Sequence, residues 1–168
     1  MSENAAPAYI TSLIRHFEDL RDGTHGGSTS REDKEAHFEK AVQLLAPVAR
    51  QVLTEMNTCL LLDTGQRTET GLQRTGDGGL IASWTLTWPE QQAAGIEPIA
   101  LQAYFGRGFH HPHLRGMTVR DWPLNVFSEE DAAAQLSILR AIASSDLHNL
   151  VFQADYRIVP AVNRPESS

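Results

Sequence analysis

The chain has 168 residues, of which 41% are hydrophobic and 21% charged, and a formal net charge of −7. That length suits one domain with a sizeable core, and the acidic balance excludes a general nucleic-acid binder, which needs a basic surface. No apolar run approaches the roughly 20 residues of a membrane helix, and the first residues lack the basic start and apolar run of a signal peptide. A cytoplasmic protein without a membrane partner is therefore expected. The one cysteine, Cys59, excludes an internal disulfide framework and agrees with a reducing compartment.

Ile10, Leu13, Ile14, Phe17 and Leu20 recur at helical spacing and predict a helix over residues 8–21. A Gly/Ser-rich stretch, Asp22 to Ser28, breaks it as a flexible loop. Ser30 and Asp33 read as an N-cap and its partner. Phe38, Val42, Leu45, Ala49, Val52 and Met56 then mark a long second helix, in which Pro47 predicts a kink or break near Leu45.

From Asn57 the period changes. Cys59 to Leu62 reads as a short buried strand, which would leave the thiol inert. Leu80, Ala82, Trp84, Leu86 and Trp88 alternate with polar or smaller residues, a strong strand pattern. Gly76 to Gly79 predicts a hairpin turn that pairs this strand with residues 70–75. Pro89 to Gly95 fits one helical turn or a loop. Ile99, Leu101, Ala103 and Phe105 alternate again, and Trp122 to Val126 fits a short edge strand, where proline is tolerated. Ser128 opens a helix through Leu136, Leu139 and Ile142, and residues 151–159 read as a closing strand ended by Pro160. The expected fold is α+β: an antiparallel sheet with two N-terminal helices and one late helix packed on it, in a single domain over residues 1–168. Residues 1–7 and 161–168 are expected as disordered tails.

Between Gly106 and Arg120 lie three of the seven histidines and three arginines, with no acid. On an acidic chain such a segment suits an anion and proton transfer beside it. Histidine titrates near neutrality, and the arginine fork matches a carboxylate. His111 and His113, at i and i+2, share a side if the segment is extended. Three uses follow. The pair can share a divalent metal with His148 or Asp121 as third ligand. It can line a polar loop. Or it can serve a metal-free acid/base site without any cofactor, which the lack of a carboxylate at a recognisable ligand spacing favours. The His-x-His element resembles the cupin metal site, but no glutamate follows before Glu129, and that match fails.

Arg115 and Arg107 are the candidate anion-binding residues, and Trp122 and Tyr104 the candidate walls for a flat ligand. Asp146, His148 and Asn149 sit where a helix is expected to give way to a strand, a place for capping or for function. His16 and His37 are expected to be solvated. His25 is expected on a mobile loop able to act as a lid.

Together, residues 110–116, 121–126 and 146–153 resemble the small bacterial 4-hydroxylaminobenzoate lyases, over roughly the last 65 residues. That resemblance implies conversion of an aryl hydroxylamine to a catechol with loss of ammonia, without a redox cofactor. The expected enzyme is a lyase binding a small anionic aromatic, with His111, His113 and His148 as acid/base groups and Arg115, Arg107, Trp122 and Tyr104 holding substrate. The alternatives are a non-catalytic ligand-binding or interaction module and a His-ligated metalloenzyme. A homo-oligomer is left open.

Overall fold

The first helix, α1 (Ala8–Asp22), follows the apolar spacing and stops at Gly23, whose φ of 68° completes a left-handed C-cap. Ser30 caps the second helix, α2 (Arg31–Cys59), accepting from the Asp33 amide. The structure, a computed structural model, describes residues 5–163. The expected tails at 1–4 and 164–168 lie outside the described residues.

Pro47 does not break α2, which is continuous through all 29 residues. Its ring faces solvent, and Leu45 and Ala49 on either side are fully buried. The backbone bond that proline removes is therefore lost on the solvent side of the helix. The inward face continues to pack. The helix also runs through Cys59, correcting the strand expected at residues 59–62. Cys59 is exposed, Leu61 alone is fully buried, and Leu62 and Asp63 turn the chain with φ of 52° and 62°. A four-residue apolar run cannot distinguish a strand from the last turn of a core helix.

Among the described residues six strands form one antiparallel sheet: β1 (Gln66–Glu69), β2 (Gln73–Arg74), β3 (Leu80–Thr87), β4 (Ile99–Phe105), β5 (His113–Gly116) and β6 (Trp122–Pro123). Its order is β1-β3-β4-β5-β6, with β2 also on β3. A short helix, α3 (Pro89–Ala93), links β3 to β4. Leu80, Ala82, Trp84 and Leu86 of β3, with Ile99, Leu101, Ala103 and Phe105 of β4, point to one face and form the core with Phe38, Leu45, Ala49, Val52 and Leu53 of α2. Because side chains alternate along a strand, the paired residues Gln102 and Arg115, and Tyr104 and His113, share the opposite, half-exposed face.

Ser128 caps α4 (Glu129–Ala134), and α5 (Leu136–Gln153) follows. The closing strand expected over 151–159 is instead the end of α5, a 3-10 turn (Tyr156–Ile158) and α6 (Pro160–Asn163). The buried stripe Leu139, Ile142, Ala143, Asp146, Leu147, Leu150 keeps helical period up to the start of the expected strand, and the helix runs on to Gln153. Ile158 is secured by its carbonyl, which accepts from Trp88 Nε1 at 2.6 Å. Residues 161–163, expected in the tail, are helical. Among the described residues, no helix is long and apolar enough to cross a membrane.

Candidate functional site: a histidine and aspartate cluster

The segment between α1 and α2 is ordered by a two-residue turn. His25 and Ser28 exchange backbone hydrogen bonds of 2.9 and 3.1 Å around Gly26 and Gly27. Both glycines have positive φ, 60° and 77°, the requirement of a type I′ turn. A side chain on Gly26 would also meet Phe127 at 2.6 Å. His25 is thus held, not mobile, and is 1% exposed, which corrects its expected place on a lid.

Lys34 draws the loops around it together. Its buried Nζ donates to the carbonyl of Gly23 at 3.0 Å and of His110 at 3.4 Å, so α2 clamps the α1 end to the β4–β5 loop. Arg31 adds to the hold on the β4–β5 loop alone, donating to the carbonyls of Phe105, Gly106 and Phe109.

Three polar atoms from three parts of the chain meet inside this clamp: Asp19 Oδ2, His25 Nδ1 and His111 Nε2, all within 4.8 Å of one another. His111 Nε2 lies 3.0 Å from His25 Nδ1 and 3.2 Å from Asp19 Oδ2. His111 Nδ1–H donates to the Pro112 carbonyl at 3.0 Å, which turns the Nε2 lone pair toward the other two groups. Thr24 Oγ1–H donates to Asp19 Oδ1 at 2.8 Å and fixes the carboxylate. A neutral His111 would then face a carboxylate oxygen with a bare nitrogen, two acceptors in contact. A cation shared by the three groups would turn that contact into a favourable one.

Around this centre stand two more histidines. His16 is buried and packs edge-on against His111 and His113, ring centroids 4.4 and 5.4 Å apart. Its Nδ1 has no hydrogen-bond partner among the described residues. The expectation that His16 is solvated is corrected: its face of α1 is the inner one. Burial, then the neighbouring His111, pushes its pKa down to about 4. Burial and His111 likewise push His25 to about 2, and burial lowers His113. Neutral imidazoles result, the form that ligates a metal or accepts a proton. His37 is half-buried and sits 3.0 Å from the Ser28 hydroxyl through Nε2.

The residues singled out in the sequence divide among three places. His111 is in the cluster and His113 beside it. His148 is exposed on α5 and takes no part, so of the alternative metal set His111, His113, His148 only His111 belongs to the three converging groups. Asp146 and Asn149 are also within α5, not at a helix–strand junction. Arg115 and Tyr104 lie on the open sheet face, where the guanidinium carbon is 4.3 Å from the ring centroid and Nε–H donates to Gln102 at 2.8 Å. Arg107 is exposed on the far side of the β4–β5 loop, beside Gly78. Trp122 walls a separate cavity beneath α1.

Asp19 and His25 were missed. The signal available was their spacing across a helix end: an acid in the last turn, a C-cap glycine, then a histidine before Gly-Gly. Comparison with protein-family models, curated proteins and solved structures finds no match.

Proposed function

We propose that the protein is an enzyme whose reaction centre is Asp19, His25 and His111 holding one divalent metal ion. The observation that carries this reading is the convergence of two imidazole nitrogens and a carboxylate oxygen within 4.8 Å of one another. Ligands at about 2.0–2.2 Å from a common ion stand roughly 3 Å or slightly more from one another, and the separations of 3.0 and 3.2 Å fit. Two histidines and one carboxylate leave coordination positions open for water or substrate. Such an ion supplies a water of lowered pKa at neutral pH.

The substrate class we propose is a small anionic aromatic, and the reaction the hydroxylaminobenzoate lyase step suggested by the resemblance. In that step the N–O bond breaks and the hydroxyl leaves as water after protonation. One water adds to the neighbouring ring carbon, and a second displaces nitrogen as ammonia. The net change is consumption of one water, and the reduction of nitrogen balances the oxidation of the ring. His113 and His16 are the neutral bases placed to carry protons, one half-buried toward solvent and the other inside. A metal-free version, with His111 protonated against Asp19, is the second reading, and the same geometry supplies it.

The test is turnover of the purified full chain on 4-hydroxylaminobenzoate, read as ammonia and catechol released, before and after treatment with a strong chelator. Loss on chelation and recovery with zinc or another divalent ion supports the metal centre. Activity untouched by chelation moves the reaction to the metal-free dyad. Absence of both turnover and stoichiometric metal removes the enzyme reading.

A further inference from the structure

A cavity of about 560 Å³ opens where the start of α2, the end of β2 and the β4–β5 loop meet, and none of Asp19, His25 and His111 lines it. Four basic side chains, Arg31, Lys34, Arg74 and Arg107, line it with one carboxylate, Glu35, on a chain whose net charge is −7. Glu35 is shared by two of them: Arg31 Nε donates to it at 3.2 Å and Arg74 Nη2 at 2.9 Å. Two guanidinium groups then flank one residue. Arg74 Nη1 donates to the Gly78 carbonyl at 2.8 Å, and Arg107 Nη1 stands 2.9 Å from the place a side chain on Gly78 would take. Asp77, beside it in the turn, accepts from the Thr75 hydroxyl and the Gly79 amide. Among the described residues, no carboxylate lies within ion-pair distance of Arg107. The carbonyls that Arg31 and Lys34 hold orient these groups but cancel no charge. Even with Asp77 counted, four cations face two acids.

We infer that this cavity binds the phosphate group of a small molecule, as free phosphate or as a monoester. A phosphate monoester carries a charge of about −1.5 to −2 at pH 7 and three strong acceptor oxygens. That matches an excess of positive charge brought together from three parts of the chain. A carboxylate, with one charge, offsets less of it. The guanidinium fork suits phosphate oxygens. Arg107 has all its N–H groups to offer, and Arg74 those not given to Glu35 and Gly78. The volume is in the range of small-molecule sites, and Phe109, 52% exposed, adds an apolar wall for the organic part of an ester. The ligand is a second molecule, distinct from whatever reacts at the histidine and aspartate cluster. The inference therefore rests on neither the metal nor the lyase step. Arg107, expected to grip an aromatic carboxylate, serves this second ligand instead.

The experiment is calorimetric titration of the chelator-treated full chain with inorganic phosphate and with phenyl phosphate, at constant ionic strength set with chloride. One saturable site per protomer is expected, and phosphate should raise the Tm of the chain. Benzoate should bind about tenfold more weakly than phenyl phosphate, or worse. Arg107→Ala and Arg74→Ala should each weaken phosphate binding about tenfold or more, the loss of a charge-assisted contact. Both side chains are exposed, and melting each variant without phosphate confirms that it is folded. Lys40→Ala, which removes one positive charge from the exposed surface of α2, should leave binding unchanged. Tighter binding of phenyl phosphate, with the advantage lost in Phe109→Ala, identifies an ester as the ligand. Equal binding of the two identifies free phosphate. No saturable binding of either by the parent chain overturns the inference. So does binding that survives both arginine substitutions, or that falls as much in Lys40→Ala, the mark of general attraction rather than a site.

Discussion

His25 Nδ1 and His111 Nε2 stand 3.0 Å apart although 86 residues separate them in the chain. Neither residue comes from regular structure. One is set by a Gly-Gly turn after α1 and the other by the loop entering β5. The Lys34 clamp on α2 makes two loops behave as one rigid site. Precision on loops demands such support, because a misplacement of about 1 Å is enough to lose a constellation.

The first prediction separates this cluster from the histidines the sequence alone brings forward. Equilibrated with zinc and desalted, the chain should retain one ion per protomer. Asp19→Ala, His25→Ala and His111→Ala should each lose it, with affinity reduced by a hundredfold or more. His148→Ala should retain it, since that side chain is exposed on α5. Equal retention by all four variants would discard the centre.

Gly26 offers a sharper test of the turn. Alanine there must adopt a positive φ, costing roughly 1–2 kcal/mol, and its methyl would press on Phe127 at 2.6 Å. Gly26→Ala should lower stability by about 1–3 kcal/mol and weaken zinc more than Gly95→Ala. Gly95 also has positive φ, but nothing lies within 4 Å of an added methyl. Chemical denaturation and metal titration of both variants decide the matter.

The helices and sheet were legible because their periods are strong: β3 and β4 alternate over eight and seven residues, and α1 and α2 carry long apolar stripes. What misled was short or local. Leu60 to Leu62 is apolar for a helix end, and the apolar residues between Val151 and Val159 divide between the last turn of α5 and a 3-10 turn, a pattern too short to tell from a strand. The His/Arg loop did point to His111. Its partners were hidden because the groups nearest in sequence, His110 and Asp121, are exposed, whereas Asp19 and His25 arrive by tertiary folding. Chain spacing carries no record of that approach.

Asp146 predicts a stability effect remote from the chemistry. Its carboxylate is fully buried and, among the described residues, has no ion-pair partner. Oδ2 accepts from the Ala100 amide at 3.0 Å, and Oδ1 from the Thr118 amide and hydroxyl at 2.7 and 2.6 Å. These bonds pin α5 to β4 and to the β5–β6 loop. In Asp146→Asn one amide N–H must face a backbone N–H. A loss of about 3 kcal/mol is expected, or roughly 6–12 °C in Tm for a domain of this size. Thr118→Ser keeps both bonds and should stay within about 1 kcal/mol of the parent. Thermal unfolding of the two variants side by side makes the comparison.

Acid should unfold this protein earlier than its carboxylates alone would require. His16 and His25 are held neutral when folded, with pKa lowered by burial to about 4 and about 2. In the unfolded chain both titrate near 6.5. Below that value the unfolded state binds more protons, so stability falls as pH falls. The His16 contribution stops growing once pH passes about 4, while that of His25 continues lower. Each histidine adds a slope of about 1.4 kcal/mol per pH unit within its window. Urea midpoints measured from pH 7 to pH 5 should therefore drop steeply. His16→Gln should flatten the slope by about one proton, because glutamine fills the site without titrating. A slope unchanged by that substitution would show that His16 protonates in the folded protein as readily as in the unfolded chain.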